Sequence, residues 1–222
     1  GMTESAGLAF FQNADKATVG ASGVAAPGLQ YRIADDGELE IKHPSVFLGY
    51  LDNQKATEET VVDGWLQTGD VVEQLDNGEI AIVDRKKSII ITSGGKNITP
   101  SEIENALKDS IYIAEAIVVG EGRNFLGALL QIDYDTVGKW AQAQGMAYTT
   151  FSHLSSLEPV IDLVSKEVAR VNDAFARVEN IRKFVLLKKQ LDHDDGEMTA
   201  TQKVRRNVIE KKFETEMAEI YG

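Results

Sequence analysis

The chain contains no cysteine, which excludes a disulfide framework and any thiolate metal site. Histidine is nearly as scarce: His43, His153 and His193 stand far apart and do not make a zinc-type cluster. No apolar run approaches the roughly 20 residues that a membrane span needs, and no signal-peptide pattern opens the chain. Basic residues are in deficit, 23 Lys and Arg against 35 Asp and Glu, for a net charge of −12. That balance argues against nucleic acid or an anionic membrane as the main partner. What is left is 222 residues, 43% hydrophobic and 26% charged, the composition of an ordinary globular protein. The length suffices for one large domain or two small ones with real cores. A cytoplasmic location follows as an expectation, with peripheral membrane contact left open.

Along the chain, residues 1–30 are rich in Gly and Ala and show no clean period. "LQYRIADDGELEIKH" then reads as a hairpin around an Asp-Asp-Gly turn, and "NQKATEETVVDG" as a short helix stopped at Gly64. In "TGDVVEQLDNGEIAIVDRKK" the Asn77-Gly78 pair predicts a two-residue turn that sets Asp76 opposite Glu79. Followed back, the same register sets Asp70 opposite Arg85 at the open end. Residues 16–83 therefore predict a small β-rich unit. Alternation stops at Asp84 to Lys87, which places a boundary there.

Mixed signals follow. "SIIIT" is a short apolar strand and "SGGKN" a loop, and the next helix is announced by Thr99 as N-cap, Pro100 at the first position and Glu102 completing a capping box. "IAEAIVVG" and "GALLQID" read as strands, and "DTVGKWAQAQG" as a helix stopped at Gly145. Val160, Val164, Val168, Val171, Phe175 and Val178 form one buried stripe from Pro159 to about Asn180. "IRKFVLL" is a final strand, and residues 203 to about 220 a last amphipathic helix. The fold class is α+β: a small β-rich part, then an α+β domain.

Four features remain once the core is subtracted. They are Thr3-Glu4 in a Gly-flanked segment, the Asp70/Arg85 pair, the Gly94-Gly95 loop, and "MTATQKVRR" with Lys203 after the acidic run "LDHDDGE". Each has a plain structural reading. A cross-strand ion pair is worth at most about 1 kcal/mol, two glycines make a tight turn, and a lysine near a helix start is poorly matched to the dipole.

Their order changes the weighing. "GMTE", "GELEIKHPSVFLGYLDNQKAT", "GWLQTGDVV", "DRKKSIIITSGGKNITPSEIE" and "TATQKVRR" together resemble the adenylate-forming superfamily of acyl-CoA synthetases, adenylation domains and luciferases, in family order and over nearly the whole chain. The form of "TATQKVRR" and the long segment before the last strand resemble bacterial long-chain fatty acyl-CoA synthetases. Family members also carry a large N-terminal domain with a Ser/Thr/Gly-rich phosphate loop and the acyl pocket, and nothing here matches that loop. The resemblance thus implies the C-terminal portion of such an enzyme, with Gly1-Met2-Thr3-Glu4 the remainder of a Tyr-Gly-Met-Thr-Glu motif. Residues 1–84 would end the N-terminal domain and residues 85–222 would form the C-terminal AMP-binding domain.

By the same resemblance Thr3 would touch the adenylate phosphate and Glu4 would hold Mg²⁺. Asp70 and Arg85 would hold the ribose, Lys87 would be the hinge, Gly94 and Gly95 would approach coenzyme A, and Lys203 would be the catalytic lysine, with Arg206 after it. The implied ligands are fatty acid, ATP or AMP, Mg²⁺ and coenzyme A. The family's usual Gly before the late lysine is Gln202 here, and its upstream Pro is absent. Two rivals stay open: an acyl-AMP ligase that loads a carrier protein, and a non-catalytic binding module of the same fold. A chain without the phosphate loop and acyl pocket is expected to be inactive alone.

Overall fold

The computed structural model describes residues 1–199 and 203–222, and the chain divides into two compact units, Gly1–Ile89 and Ile90–Gly222. In the first unit, β1 (Phe10–Phe11) pairs with β2 (Val24–Ala25). The main sheet is built from β3 (Gln30–Ile33), β4 (Glu38–Lys42), β5 (Val61–Val62), β6 (Trp65–Gln74) and β7 (Ile80–Arg85), with the helix α1 (Gln54–Thr60) leading into β5. The ten-residue β6 is the spine. It pairs with β4 along one edge and, along the other, with β5 at its start and β7 at its end. Leu29, Leu39, Ile41, Leu66, Val72 and Ile80 meet beneath it as the core.

The helix α1 stops earlier than its sequence suggests. Val61 and Val62, β-branched and unsuited to extending a helix, join the sheet as β5, and Gly64 (φ +77°) turns that strand into β6 instead of ending α1.

The register of the β6–β7 hairpin also differs from a two-residue turn. Leu75 N–H donates to the Glu79 carbonyl and Gly78 N–H to the Leu75 carbonyl, so the loop is Asp76-Asn77-Gly78, with Gly78 at φ +82°. Gln74 then opposes Ile80, and Asp76 does not face Glu79. A bulge at Val83 restores the lost residue, so Asp70 still opposes Arg85. Two offsets of one residue cancel.

The second unit opens with the short ladder of β8 (Ile90–Ile91) on β9 (Asn97–Ile98), then α2 (Pro100–Lys108). Thr99 occupies the N-cap position and Pro100 begins the helix, but Thr99 makes no side-chain capping hydrogen bond. The unit's main sheet comprises β10 (Ile113–Val119), β11 (Leu126–Ile132) and β12 (Ile181–Leu186), with β10 antiparallel and β12 parallel to β11. Between β11 and β12 run α3 (Tyr134–Ala143), α4 (Phe151–Ser155) and α5 (Glu158–Asn172), and α6 (Arg206–Lys212) and α7 (Glu214–Tyr221) follow.

Both faces of this sheet are buried, which is why β10 and β11 are apolar without alternation. Ala116, Val118, Ala128 and Leu130 face the valine stripe of α5 and the buried side chains of α2 and α3. Ile117, Val119 and Leu129 face Ile209, Phe213 and Ile220. The helix α5 buries Val160, Val164, Val168 and Val171 as expected but ends at Asn172, short of Asn180. The Asn172 amide donates to the Ile181 carbonyl (2.9 Å) and accepts from the Ile181 N–H (2.8 Å), closing the helix and starting β12 in one step. The expected single last helix is two, broken at Phe213, and it begins at Arg206.

Candidate functional site

The first unit gathers one polar neighbourhood at the open end of the β6–β7 hairpin. Arg85 Nη1 lies 2.5 Å from Asp70 Oδ1 and also donates to the Thr68 carbonyl at 3.0 Å. Asp70 N–H donates to Thr68 Oγ1, and Thr68 Oγ1 donates to the Leu39 carbonyl, so the turn into Asp70 is fixed from inside the sheet. Gly69 takes φ +70° there, and its N–H donates to Glu38 Oε1 at 2.8 Å. The other Glu38 oxygen accepts from Lys86 Nζ at 2.7 Å, and Lys86 also reaches Asp36 at 2.5 Å. Hydrogen bonding to Asp36 and Glu38 raises the Lys86 ammonium above its usual range, and the Lys86 hydrogen bond lowers the Asp36 carboxyl. The half-exposed pair thus rests on a buried acid, Glu38.

Thr3 and Glu4 lie in a short 3₁₀ turn, Thr3–Ser5, bound to the segment after β4. Phe47 N–H donates to the Glu4 carbonyl (2.8 Å), Ser45 Oγ to the Ser5 carbonyl (3.2 Å) and the Tyr50 hydroxyl to Glu4 Oε1 (2.8 Å). That hydrogen bond to Glu4 raises the Tyr50 phenol above its ordinary value, and the positive charge of Arg85 nearby opposes the rise. Tyr50 therefore holds the Glu4 carboxylate in place. No local pattern around "FLGYLDN" announces this contact, because the partner of Tyr50 is 46 positions away.

Glu4 is one carboxylate with one oxygen engaged by a phenol. No group of three or more His, Asp or Glu among the described residues forms a metal cage. A single carboxylate suits Mg²⁺ carried on a phosphate chain, whose remaining positions are filled by phosphate oxygens and water. Lys87 is exposed in the 3₁₀ turn Lys86–Ser88, just before the second unit begins.

In the second unit Gly94 and Gly95 form the tip of the β8–β9 turn. Thr92 N–H donates to the Lys96 carbonyl and Gly95 N–H to the Thr92 carbonyl. Ser93 binds Arg123 and Asn124 of the facing turn, through its N–H and its hydroxyl. Gly95 is at φ +73°, and a Cβ added to it would stand in open space. Beside this loop lies a cleft of about 470 Å³ bordered by Ser93, Gly94, Lys96, Asn124, Arg177 and Arg182. Three cations around one cleft stand out in so acidic a chain.

Lys203 is exposed and sits three residues before α6, not in its first turn. It ends a small hairpin in which Met198 bridges Val204, Thr199 N–H donates to the Lys203 carbonyl and Lys203 N–H to Thr199 Oγ1. Gln202 lies outside the described residues. Arg206 is turned inward. Its guanidinium donates to Glu104 Oε1 at 2.5 Å and to the Val118 carbonyl, while Glu104 accepts the Val118 N–H, so it ties α6 to α2 and β10.

No described helix is long and apolar enough to cross a membrane. Among known proteins the chain is 37% identical, over its whole length, to a long-chain-fatty-acid–CoA ligase (FadD15) of Mycobacterium bovis, of which it spans 37%. It is 32% identical over 87% of its length to the human long-chain-fatty-acid–CoA ligase 1, of which it spans 28%. The chain therefore spans 37% of the first of these relatives and 28% of the second. Its fold is that of adenylate-forming enzyme domains. The adenylation domain of a carboxylic acid reductase from Segniliparus rugosus, solved with AMP and a co-purified carboxylic acid, superposes with a TM-score of 0.74 at 20% identity, over 89% of this chain and 32% of that one. The o-succinylbenzoate–CoA synthetase of Bacillus subtilis, solved with ATP and magnesium, gives 0.67 at 23% identity, over 93% of this chain and 39% of that one. The model of the AMP-binding enzyme C-terminal domain matches residues 87–222, and the chain belongs to that family.

Proposed function

We propose that this chain supplies the nucleotide-holding hairpin and the mobile C-terminal domain of an ATP-dependent fatty acyl-CoA synthetase. Residues 1–84 would end the N-terminal domain, and residues 85–222 would form the C-terminal one. The observation that carries the reading is the acid–base pair Asp70–Arg85, locked opposite each other by the sheet, in the same unit as the Glu4 carboxylate held by Tyr50. A ribose diol offers two donors that a fixed carboxylate accepts, and Arg85 adds a donor to the same sugar. Thr3 would contact the α-phosphate, and Glu4 would hold Mg²⁺, which neutralises charge on the phosphates when bound.

The reaction has two steps. A fatty-acid carboxylate oxygen attacks the α-phosphorus of ATP, the bond to pyrophosphate breaks, and an acyl-adenylate forms. The thiol of coenzyme A then attacks the acyl carbon, AMP leaves, and the thiol proton passes to solvent. Lys203 would face the negative charge that builds in the first step, an electrostatic role. A pivot at Lys87 would then bring the Gly94-Gly95 loop forward for the second step. The cleft beside that loop, with Lys96, Arg177 and Arg182, suits the phosphates of coenzyme A and favours it over a carrier protein as acceptor.

The test separates the two steps in an enzyme that joins this chain to the N-terminal part of a related ligase. Lys203→Ala should slow ATP–pyrophosphate exchange by about 10² or more and spare thioester formation from preformed acyl-adenylate. Gly95→Leu should do the reverse. Equal slowing of both steps by both variants overturns the reading. The 222-residue chain by itself should form no thioester.

A further inference from the structure

The acidic stretch before Lys203 contains one acid that is not on the surface. Glu197 is 1% exposed. Its Oε1 accepts from Lys189 Nζ at 3.0 Å and from Lys212 Nζ at 3.3 Å, and its Oε2 from the Asp192 N–H at 3.0 Å. Its backbone is equally engaged: the N–H donates to the Asp192 carbonyl and the carbonyl accepts the Arg205 N–H at 2.8 Å. Lys212 also donates to the Asp195 carbonyl, and Lys189 pairs with Asp195. Both lysines come from outside the hairpin, Lys189 just after β12 and Lys212 at the end of α6.

This arrangement is more than a surface ion pair. A buried carboxylate is tolerated only when its lone pairs are satisfied, and here the partners come from the segments on either side of the hairpin, Lys189 and Asp192 before it and Lys212 after it. Glu197 precedes the bridging Met198, and the Arg205 that binds its carbonyl follows the bridging Val204. The carboxylate thus anchors Glu197 to its surroundings and its carbonyl holds Arg205, so both arms of the hairpin whose return arm carries Lys203 end at one fixed residue.

We infer that Glu197 is the positioning residue of Lys203, fixing the root of the hairpin so that the ammonium group is presented along one direction from the second unit. The inference rests on the adenylating role proposed above for Lys203. Glu197 touches no substrate and acts only through that lysine.

Hydrogen exchange on the 222-residue chain tests the clamp directly. In Glu197→Ala the amides of Met198, Thr199, Lys203 and Arg205 should exchange about tenfold faster or more, while the slow amides of Val118 and Leu129 keep their protection. If Glu197→Ala also loosens β10 and β11, then Glu197→Gln and Lys189→Met decide, since each keeps the side-chain volume and removes one charge. Unchanged exchange across 198–205 in those variants overturns the inference.

In the joined enzyme, Glu197→Gln should lower kcat of the adenylating step with KM for ATP and fatty acid unchanged, and should spare thioester formation from acyl-adenylate. It should cost nothing further in a Lys203→Ala background, and an additive loss there overturns the inference. If Lys203→Ala itself leaves adenylation untouched, the proposed function fails, and the exchange result still decides whether Glu197 holds the hairpin.

Discussion

The two units hold their key side chains by different means. In the first, Asp70 and Arg85 are set by the backbone ladder of β6 on β7, and side chains only trim the result. In the second, Lys203 rides on a hairpin with a single bridge, secured by one buried glutamate and two lysines. A ladder fixes a direction for every residue it pairs, whatever the solvent contains. A charge clamp fixes one root and yields when a proton or a substitution removes its charge. The difference suits the proposed division of labour, in which the nucleotide is held throughout while the lysine arrives for one step only.

Within the first unit the largest expected effect falls on the ladder-held pair. In the joined enzyme Asp70→Ala should weaken nucleotide affinity by about 10- to 100-fold, the cost of losing hydrogen bonds to a charged group. The chain's melting temperature should barely move, because a half-exposed ion pair contributes at most about 1 kcal/mol. A clear loss of stability with normal nucleotide affinity would reduce the pair to surface decoration. Tyr50→Phe should come next, raising the Mg²⁺ concentration needed for half-maximal MgATP binding by roughly fivefold, the value of one hydrogen bond. Calorimetric titration at fixed ATP measures it, and an unchanged Mg²⁺ dependence would remove Tyr50 from the site.

Smaller still is Gly78→Ala. The position is at φ +82° with open space around it, so the cost is conformational only, about 1 kcal/mol. Thermal unfolding should report it without any change in nucleotide affinity. If affinity falls too, the hairpin's register depends on its loop more than on its ladder.

The smallest effect is expected of Asp36→Asn. The Lys86 hydrogen bond holds the Asp36 carboxyl below its usual 3.8, so its stabilisation is present above that pH and disappears as pH falls through the lower folded value. Urea midpoints of wild type and variant should differ slightly near neutrality and converge in strong acid. A difference that persists there would mean that packing, not charge, is at work.

Much of this was legible in the sequence. The strands of both main sheets apart from β5, together with α2, α3 and the buried face of α5, follow from apolar runs, spacing and turn residues, since each needs only its own residues to declare itself. The Asp70–Arg85 opposition was also foreseen, though through a turn one residue too short and a bulge left out of account. What stayed hidden depends on partners far along the chain. Tyr50 gains meaning only from Glu4, and Glu197 looks like one more solvated acid in "LDHDDGE" until Lys189 and Lys212 close around it. The spacing of Phe175 and Val178 continued the helical stripe by coincidence. The Asn172 side chain ends that helix by bonding a residue nine positions on, which no local pattern announces.

The sheet of the second unit has a consequence for how the protein is made. Its three strands are complete once Leu186 has been synthesised, and by then α2, α3 and α5 can already cover one face. The other face, with Ile117, Val119 and Leu129, has to wait for Ile209, Phe213 and Ile220. A chain that ends before α6 therefore has one finished layer and one bare apolar surface, the kind of species that chaperones capture and that aggregates when they do not. Truncation after Leu186 should therefore send the protein into aggregates, even though every strand of the sheet is still encoded.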